Sequence, residues 1–539
     1  MATGAIFTLV VNDGRQDNLL NASDLLKDRL SALARLNIDT PKYVPSLTDI
    51  EKTHVLFFNA HFKPFVAIGF EYQKLQPSST ATLNSTVSFS ISQFGDFFHD
   101  MVLHVRLGPV TAATAANTWR WVSYPGERLM EKTKFSVNGT VLDEYSPQDY
   151  KFYREFRLCE DKRVGYDRCM GQQALLPAQV VPVSGLELNT GTPPVGSFGA
   201  STVTGVDEST GLWVQVSDGY QTVKTGTAHA DQSSASGHQR TDVLELTVPL
   251  IFWFNELPQL AIPAISIPYG TRFVEFEVTT LANLARGVVV TGNGGAANSV
   301  AATLSVTGAD FSVCNLYVNN IFVNPEIHDI FVKRIGFNLI RVHRKQVNRV
   351  TSCALGEQLM NNFKWPIETI YFGFRDVTRN QVTNGALSYL DHWHSFGQAF
   401  SVVNSTTLAS THSLVYQYSK LLPVVQSITV SAQGINVYSD IPALLFNQYV
   451  PWAYGAKINT PKDPGVYCVT FNLYPGVYQP SGHINVSRAR EFYIKYDNTI
   501  PTTARNLGVA ITSADLMATA RAINFLLISD GSAVLRYST

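Results

Sequence analysis

Short segments in which apolar and polar side chains alternate recur along the chain. Val87, Phe89 and Ile91 alternate with serines, and the runs 273–278 and 367–374 are rich in β-branched and aromatic residues between turn residues. Alternation with a period of two is typical of strands that have one buried face. The pattern therefore predicts a chain built mainly from β-strands.

Two hairpins are predicted from turn dipeptides. Asn138-Gly139 and Asp530-Gly531 each separate two apolar alternations. Both dipeptides tolerate the positive φ angles of a type I′ turn, so each is expected to join two antiparallel strands.

A weak internal similarity bears on the architecture. Residues 135–145 and 428–438 each read as strand, polar-glycine turn and strand, and a proline-led apolar stretch follows each of them, at Pro147 and at Pro442. The two segments lie somewhat more than half the chain apart. A fold that is built twice would give this spacing.

Helical patterns are few and short. Ser23 can cap a first helix, Asn324-Pro325 is a start signal for a second over residues 327–334, and residues 355–363 are predicted as a third. Residues 184–241 and 287–309 lack sustained periodicity and are rich in small and polar residues, so we expect loops there that carry exposed, variable surface.

Composition and charge narrow the class of protein. The chain has 539 residues, which allows two large β domains or three to four smaller ones. Charged residues make up only 15%, against a usual share of about 25%, which suggests that much of the surface is covered. The net charge is −1 without a basic run, so we do not expect direct binding to DNA or RNA.

The ends and the cysteines indicate a cellular compartment. The N-terminus lacks the charged and apolar regions of a signal peptide, and no uninterrupted apolar stretch reaches the roughly 20 residues of a spanning helix. The cysteines are odd in number, spread out and free of CxxC pairs, which favours reduced thiols over a disulfide framework or a zinc knuckle. They are Cys159, Cys169, Cys314, Cys353 and Cys468. We therefore expect a soluble chain from a reducing compartment, with the pairing state of Cys159 and Cys169 left open.

The segment QPSGHINVSRAREFYIKYDN, residues 479–498, contains the residue types of a hydrolytic triad in His483, Ser487 and Asp497. A triad needs a nucleophile on a sharp, exposed turn, and the chain has no GxSxG sequence. Residues 490–496 alternate in the manner of a strand. The structural interpretation, a turn followed by a strand, is therefore favoured over an active site.

Other candidate groups also favour structural roles. A metal site needs more ligands than a pair of histidines offers, paired carboxylates after a hairpin are expected before a helix start, and a glycine run without a following lysine is not a phosphate loop. These groups are His392 with His394, His99 with Asp96 and Asp100, Asp143 with Glu144, and Gly292–Gly295. We accordingly predict no catalytic, cofactor-binding or metal-binding residues, no cofactor, and a structural or binding protein in place of an enzyme.

Several longer sequence words resemble those of one family. They are NAHFKP (59–64), GFEY (69–72), FGDFFHDMV (94–102), YPGER (124–128), LDEYS (142–146), FWFNE (252–256), LAIPAISIPYG (260–270), NPEIHDIFVKR (324–334), LIRVH (339–343), KWPIE (364–368), QPSGHINVSRAREFYI (479–494) and the final AINFLL with GSAVLRYST (522–539). In this order they resemble the double jelly-roll major capsid proteins of nucleocytoplasmic large DNA viruses, in particular those of African swine fever virus and its relatives. The words are spread over the whole framework of the chain, and the match is lost in the loops.

The resemblance implies an all-β double jelly roll, two eight-stranded β-sandwiches with few short helices and long loops. It places an N-terminal arm at residues 1–44, the first roll at 45–280 with a variable loop at 184–241, a linker at 281–309 and the second roll at 310–539.

The same resemblance implies a function and partners. Family members form homotrimers, pseudo-hexagonal capsomers that tile an icosahedral shell, with penton and minor or cement proteins, an assembly chaperone and an inner viral membrane nearby. Assembly would take place in factories in the host cytoplasm. The alternatives are a double jelly-roll scaffold of immature virions and a β-sandwich glycan-binding protein. In the capsid interpretation the 479–498 segment would fix geometry, with Ser487, Arg488 and Arg490 satisfying buried carbonyls or carboxylates, and Arg490→Ala is predicted to lower the yield of trimer.

Overall fold

The computed structural model describes most of the framework of the chain. The described residues are 68–108, 111–112, 117–122, 124–171, 181–182, 203–207, 212–216, 243–267, 270–289, 306–307, 310–323, 336–350, 355–377, 393–394, 396–408, 412–455, 457–489, 491–497, 513–529 and 532–537. The predicted N-terminal arm, the helix after Ser23 and the helix over 327–334 lie outside these ranges.

The described residues are dominated by antiparallel strands. In chain order these are β1 (Ile68–Leu75), β2 (Thr86–Ser90), β3 (Phe97–Leu107), β4 (Thr111–Ala112), β5 (Asn117–Trp121), β6 (Met130–Val137), β7 (Thr140–Tyr145), β8 (Val181–Pro182), β9 (Val203–Asp207), β10 (Leu212–Val216), β11 (Leu244–Pro249), β12 (Ile262–Pro263), β13 (Arg272–Val278), β14 (Ala285–Val289), β15 (Val306–Thr307), β16 (Phe311–Val323), β17 (Gly336–Val350), β18 (Leu355–Leu359), β19 (Pro366–Asp376), β20 (Gln398–Leu408), β21 (His412–Leu422), β22 (Ser427–Ala432), β23 (Ile435–Pro442), β24 (Val466–Thr470), β25 (Ile484–Asn485), β26 (Phe492–Asp497), β27 (Ala514–Ser529) and β28 (Ser532–Leu535).

Helices in the described ranges are short. The α-helices are α1 (Pro125–Leu129), α2 (Pro147–Phe152), α3 (Arg163–Cys169), α4 (Trp253–Glu256), α5 (Leu281–Leu284) and α6 (Val450–Ala453). A π-helical turn, Tyr153–Arg157, extends α2, and another, Leu445–Tyr449, precedes α6; 3₁₀ turns span Glu160–Lys162, Pro258–Leu260 and Val486–Arg488. No helix among the described residues has the length and apolar character needed to cross a bilayer.

The main strands form two sandwiches with the same strand order. In the first, the sheet β1-β16-β3-β11 packs on the sheet β2-β13-β6-β7, and in the second, β17-β27-β19-β24 packs on β18-β26-β22-β23. If the eight main strands of each sandwich are counted along the chain, both have the orders 1-8-3-6 and 2-7-4-5. Aromatic rings pack between the two sheets inside each sandwich. The ring centroids of Phe98 and Phe135 in the first sandwich are 6.3 Å apart, and those of Phe374 and Tyr496 in the second are 4.6 Å apart. This is the jelly-roll arrangement, present twice.

The weak internal similarity marks equivalent hairpins. β6–β7 and β22–β23 are the fourth and fifth strands of their sandwiches. Asn138 and Gly139 have φ angles of 50° and 77°, and Gln433 and Gly434 have 53° and 77°. Positive φ at both central residues is what a type I′ turn requires, so the sequence similarity reflects a duplicated hairpin. The predicted hairpin near Asp530 is also formed by β27 and β28, although its turn residues lie outside the described ranges.

The first sandwich extends further along the chain than the expected border at residue 310. β16, at 311–323, pairs with β1 on one side and with β3 on the other. It is the eighth strand of the first roll, although only a short stretch of sequence separates it from the first strand of the second roll. The second roll therefore begins with β17, after residue 323.

Two other local predictions need correction. Residues 355–359, predicted as helix, form β18, which pairs with β26 over its whole length. The alternating exposed and half-buried positions of β18 fit the edge of a sheet better than a helix face. The predicted loop 184–241 contains the paired strands β9 and β10, and the start and end of the predicted loop 287–309 belong to β14 and β15.

The strand order places the long connections at one end of each sandwich. In this order the connections 3→4, 5→6 and 7→8 leave from the same end, because neighbouring strands are antiparallel. In the first roll they span 108–129, 146–243 and 279–310, and in the second 377–426, 443–465 and 498–513. The tight hairpins at Gly139 and Gly434 lie at the opposite end.

Candidate functional site

The candidate functional site is the junction between the two sandwiches, because charged and aromatic side chains from both are buried there. α2 starts at Ser146-Pro147, where the Asp149 carboxylate accepts a hydrogen bond from the Ser146 backbone N–H at 2.7 Å. Such a capping arrangement with proline at the first helical position fixes where the helix begins. The helix and its π-helical extension then cross from the first sandwich to the second.

Aromatic side chains of this helix pack on the outer face of the second sandwich. Phe152 and Phe156 lie against Tyr371 of β19, with ring centroids 6.1 and 5.0 Å apart. Cys468 of β24 and Met517 of β27 belong to the same buried cluster. The cluster is separate from the main core, so it is a second apolar layer that joins the sandwiches.

Glu155 anchors the charged part of the same contact. Its carboxylate accepts hydrogen bonds from Lys151 Nζ at 2.9 Å and from the backbone N–H of Lys462 at 2.8 Å, across the junction. Lys151 also reaches Asp463 at 3.1 Å. Burial alone would raise the pKa of Glu155, but Lys151 and Arg154 outweigh burial and hold it well below its usual range. The carboxylate is therefore ionised and fully paired.

A second carboxylate, the half-buried Glu256 of α4, is held between two arginines. Arg157 of the π-helical turn forms a bidentate pair with it, and Arg521 of β27 donates to both carboxylate oxygens at 3.1 Å. Burial opposes ionisation of Glu256, yet the two guanidinium groups lower its pKa well below the ordinary value. Planar guanidinium pairs of this kind fix orientation as well as distance.

Strand β7 of the first roll contacts β17 of the second. The Asp143 carboxylate accepts from the backbone N–H of His343 at 2.9 Å and contacts its Nδ1 at 3.0 Å. Glu144 pairs with Lys132 at 2.9 Å and, across the junction, with Lys345 at 3.1 Å. The paired carboxylates considered in the sequence thus connect the two rolls.

A polar cleft of about 430 Å³ opens beside Glu256, and its arginines and carboxylates are paired with one another. Arg341 Nε donates to Glu368 at 2.5 Å and its Nη2 to the Tyr478 carbonyl at 2.6 Å. Among the described lining residues there is no serine, cysteine or histidine. The paired side chains of the cleft hold the neighbouring elements in a fixed orientation.

The triad candidates are separated into different structural roles. The Ser487 hydroxyl accepts a hydrogen bond from the Trp365 backbone N–H at 2.6 Å, in the 3₁₀ turn that precedes β26. His483 is exposed, and Asp497 ends β26, where its carbonyl accepts from the Gln426 N–H at 2.7 Å. Arg490 lies outside the described residues, so the effect of Arg490→Ala stays a prediction.

The other candidates also make local contacts. Asp96 accepts from the Val323 N–H at 2.8 Å, Asp100 accepts from the Tyr72 hydroxyl at 3.1 Å, and His99 Nδ1 is 2.5 Å from the Phe254 carbonyl. The His394 ring packs edge-on to Tyr124, 5.1 Å away. His392 and Gly292–Gly295 lie outside the described ranges.

The described cysteines are free thiols. Cys159 is exposed and Cys169 half-buried, while Cys468 is buried in the junction cluster. Burial raises the pKa of Cys314 to about 12 and raises that of Cys468 further above the ordinary value. Because the thiolate is the reactive form, both of these side chains act as small apolar groups.

Sequence reasoning missed the junction residues, although a signal for some of them was present. The pairs join residues far apart in the chain, so no spacing motif reveals them. The family-like words nevertheless contain several: LDEYS holds Asp143, FWFNE holds Glu256, LIRVH holds Arg341 and His343, and KWPIE holds Glu368. Charged residues inside otherwise apolar words were the available sign of a buried ionic joint.

Comparison with known proteins follows the two sandwiches. A family model described as "Major capsid protein N-terminus" matches residues 57–324, and one described as "Large eukaryotic DNA virus major capsid protein" matches residues 322–534. The major capsid protein of African swine fever virus is 33% identical, with 100% of both chains covered. The Faustovirus major capsid protein structure has a TM-score of 0.65 and 30% identity over 96% of this chain and 100% of that one. The PBCV-1 capsid protein shares the fold, with a TM-score of 0.59 at 18% identity over 90% of this chain and 100% of that one.

Two eight-stranded rolls joined by a buried ionic and aromatic contact define a double jelly-roll capsid protein. The full-length identity then gives the family: the chain belongs to the major capsid proteins of large eukaryotic DNA viruses. The fold and the family predicted from the sequence are both confirmed. The protein is a component of the virion capsid, and the capsid interpretation is favoured over the scaffold and glycan-binding alternatives.

Proposed function

We propose that three copies of this chain form a pseudo-hexagonal capsomer, and that these capsomers tile an icosahedral shell. The observation that carries the proposal is the duplicated jelly roll in a chain 33% identical along its full length to a viral major capsid protein. Three chains with two rolls each supply the six rolls of a hexagonal outline, and closed rings are the common form of homo-oligomers.

Exposed apolar side chains on the single chain support an obligate assembly. Phe70, Tyr72 and Trp452 are 65%, 56% and 76% exposed. Large exposed apolar patches on a soluble chain are typical of surfaces that other subunits cover. The low share of charged residues fits the same interpretation.

The remaining partners follow from the family and are part of the proposal. They are penton and minor or cement capsid proteins, a viral assembly chaperone and a nearby inner membrane, with assembly in a factory of the host cytoplasm. The long connections at one end of each roll would form the outer surface. The net charge of −1 gives no support for direct contact with nucleic acid. The role is structural, without turnover of a substrate.

The test is the mass and shape of the purified protein. Light scattering coupled to size exclusion should give three times 59.4 kDa, and electron microscopy should show three-fold particles of hexagonal outline. Dispersed monomers would refute the capsomer. Monomers that bind a glycan array would favour the glycan-binding alternative, and absence from mature particles would favour the scaffold.

A further inference from the structure

Within one chain, the two rolls contact each other through a helix of the first roll and a sheet face of the second. In the first roll, the helix that follows the fifth strand leaves its own sandwich and packs Phe156 on the outer face of β19, the third strand of the second roll. Phe156 is fully buried there. Because the fold is duplicated, the second roll has an equivalent helix and the first roll has an equivalent face.

The equivalent helix is exposed. It follows β23, the fifth strand of the second roll, and comprises the π-helical turn Leu445–Tyr449 and α6. Tyr150 and Phe446 are the matching anchors, because each packs edge-on to a tyrosine of the preceding strand, at 5.4 Å in both cases. Six residues after each anchor stand Phe156 and Trp452. Phe156 is 0% exposed and Trp452 is 76% exposed.

The neighbours of Trp452 are also exposed and apolar. Tyr449 is 46% and Tyr454 is 48% exposed, and the Tyr449 ring lies 6.1 Å from that of Trp452. Leu444 and Leu445 on the preceding turn are exposed as well. We call these five side chains the donor patch.

The equivalent face on the first roll is exposed too. Ile68, Phe70 and Tyr72 point away from the core of the first sandwich on β1 and are 45%, 65% and 56% exposed. On the same face, Val102 of β3 and Tyr317 of β16 are register partners and half-buried. These five residues form the acceptor face. In the second roll, the helix of the first roll covers the matching face on β19, β27 and β24, the counterparts of β3, β16 and β11. β17, the counterpart of β1, is contacted beside it by Asp143 of β7.

We propose that the donor patch of one copy packs on the acceptor face of a second copy of this chain, repeating between chains the contact that joins the two rolls within each chain. This inference rests on the proposed trimer and assigns its interface. The contact is head-to-tail, since the donor and acceptor are different surfaces, and a repeated head-to-tail step that closes gives a ring. Two rolls per chain make three copies a ring of six.

The first experiment weakens each surface separately in the full chain. Trp452→Lys removes the donor anchor, Phe70→Lys alters the acceptor face, and Leu355→Lys is the matched control, because Leu355 is 75% exposed but lies on the opposite sheet of its sandwich. A buried tryptophan anchor typically dominates an interface. We therefore expect Trp452→Lys and Phe70→Lys to weaken trimer association by roughly tenfold or more by light scattering at fixed concentration, and Leu355→Lys to remain trimeric. All three should keep the parent circular dichroism spectrum.

The second experiment identifies the neighbour. A photo-reactive phenylalanine analogue at position 452 should cross-link, in the assembled protein, to peptides 68–75, 97–107 or 311–323 of another copy, giving a band of two chain masses. If the parent is trimeric and the Trp452→Lys variant is also fully trimeric, the assigned interface is overturned. The same holds if the cross-links map elsewhere. In both cases the proposed capsomer is unaffected. A monomeric parent would instead overturn the proposed function.

Discussion

Replacing Glu155 with glutamine should loosen the joint between the two rolls. The Glu155 side chain is 2% exposed and accepts from Lys151, Arg154 and two backbone N–H groups of the second roll, those of Lys462 and Asp463, at 2.8 to 3.4 Å. Glutamine keeps the shape but replaces one acceptor oxygen with an NH₂ group. That group then faces a donor, and Lys151 loses one of its two carboxylate partners.

The magnitude follows from the burial. Breaking a buried ion pair from one side costs about 3–5 kcal/mol. Lys151 keeps Asp463 and Arg154 keeps Glu127 as partners, so the lower end of this range, about 3 kcal/mol, is expected for Glu155→Gln. The matched control is Glu160→Gln, which removes another ion pair across the same junction, with Lys462. Glu160 and Lys462 are 66% and 58% exposed, and exposed pairs of this kind contribute about 0.2–1 kcal/mol. The two variants should therefore differ by at least about 2 kcal/mol.

Calorimetry at fixed protein concentration and scan rate measures the difference. For a roll of this size, 1 kcal/mol shifts the Tm by about 2–4 °C, so Glu155→Gln should lower it by roughly 6–12 °C and Glu160→Gln by no more than about 4 °C. Equal, small shifts in both variants would show that the buried network does not hold the rolls together, and would refute the reasoning.

The same pair of variants has a pH signature. The pKa of Glu155 in the folded chain is well below its usual range, so its stabilising effect is fully present above the unfolded pKa of about 4.3 and is lost as the pH falls towards the folded pKa. The Tm gap between the parent and Glu155→Gln should thus be constant near neutral pH and should narrow below about pH 4. A gap that widens in acid would contradict this assignment.

Three further changes test other parts of the framework. Phe156→Ala should destabilise the junction by about 3–5 kcal/mol in denaturant unfolding, because it leaves a cavity against Tyr371. Ser487→Ala should cost about 1–3 kcal/mol by orphaning the Trp365 N–H, whereas a hydrolytic role would predict loss of an esterase activity with little change in Tm. Gly434→Ala should cost about 1 kcal/mol through its φ of 77° alone, since nothing lies within 4 Å of the added methyl group; an unchanged midpoint would refute a strained turn.

Strands and hairpins were predictable because their signals are local. The alternation at Val87 and Phe89 and the turn at Asn138-Gly139 each lie within a few residues, and all correspond to observed elements. The error at 355–359 is also local: five residues carry too little periodicity to separate a helix from an edge strand, and pairing with β26 decides the outcome.

The border of the first roll and the junction depend on distant parts of the chain. β16 belongs to the first sandwich because its partners are β1 and β3, more than 200 positions earlier. Asp143 and His343 are 200 positions apart, and Glu155 and Lys462 are 307 apart. Neither the hydrophobic pattern nor the spacing of motifs encodes such distant pairings. The resemblance to a family was the sign that remained, because the matching sequence words LDEYS and LIRVH contain Asp143 and His343.

Duplication within one chain has an energetic consequence for the proposed ring. A ring of six separate rolls would need six contacts between molecules, and each association step costs translational and rotational freedom. In a chain with two rolls, three of the six contacts, those built on Phe156 and Glu155, form within the molecule at high effective concentration. Only the three contacts built on Trp452 remain to be made between copies. The buried ionic pairs are accordingly found where the chain itself brings the partners together, and the exposed aromatic patch is found where a second molecule must be recruited.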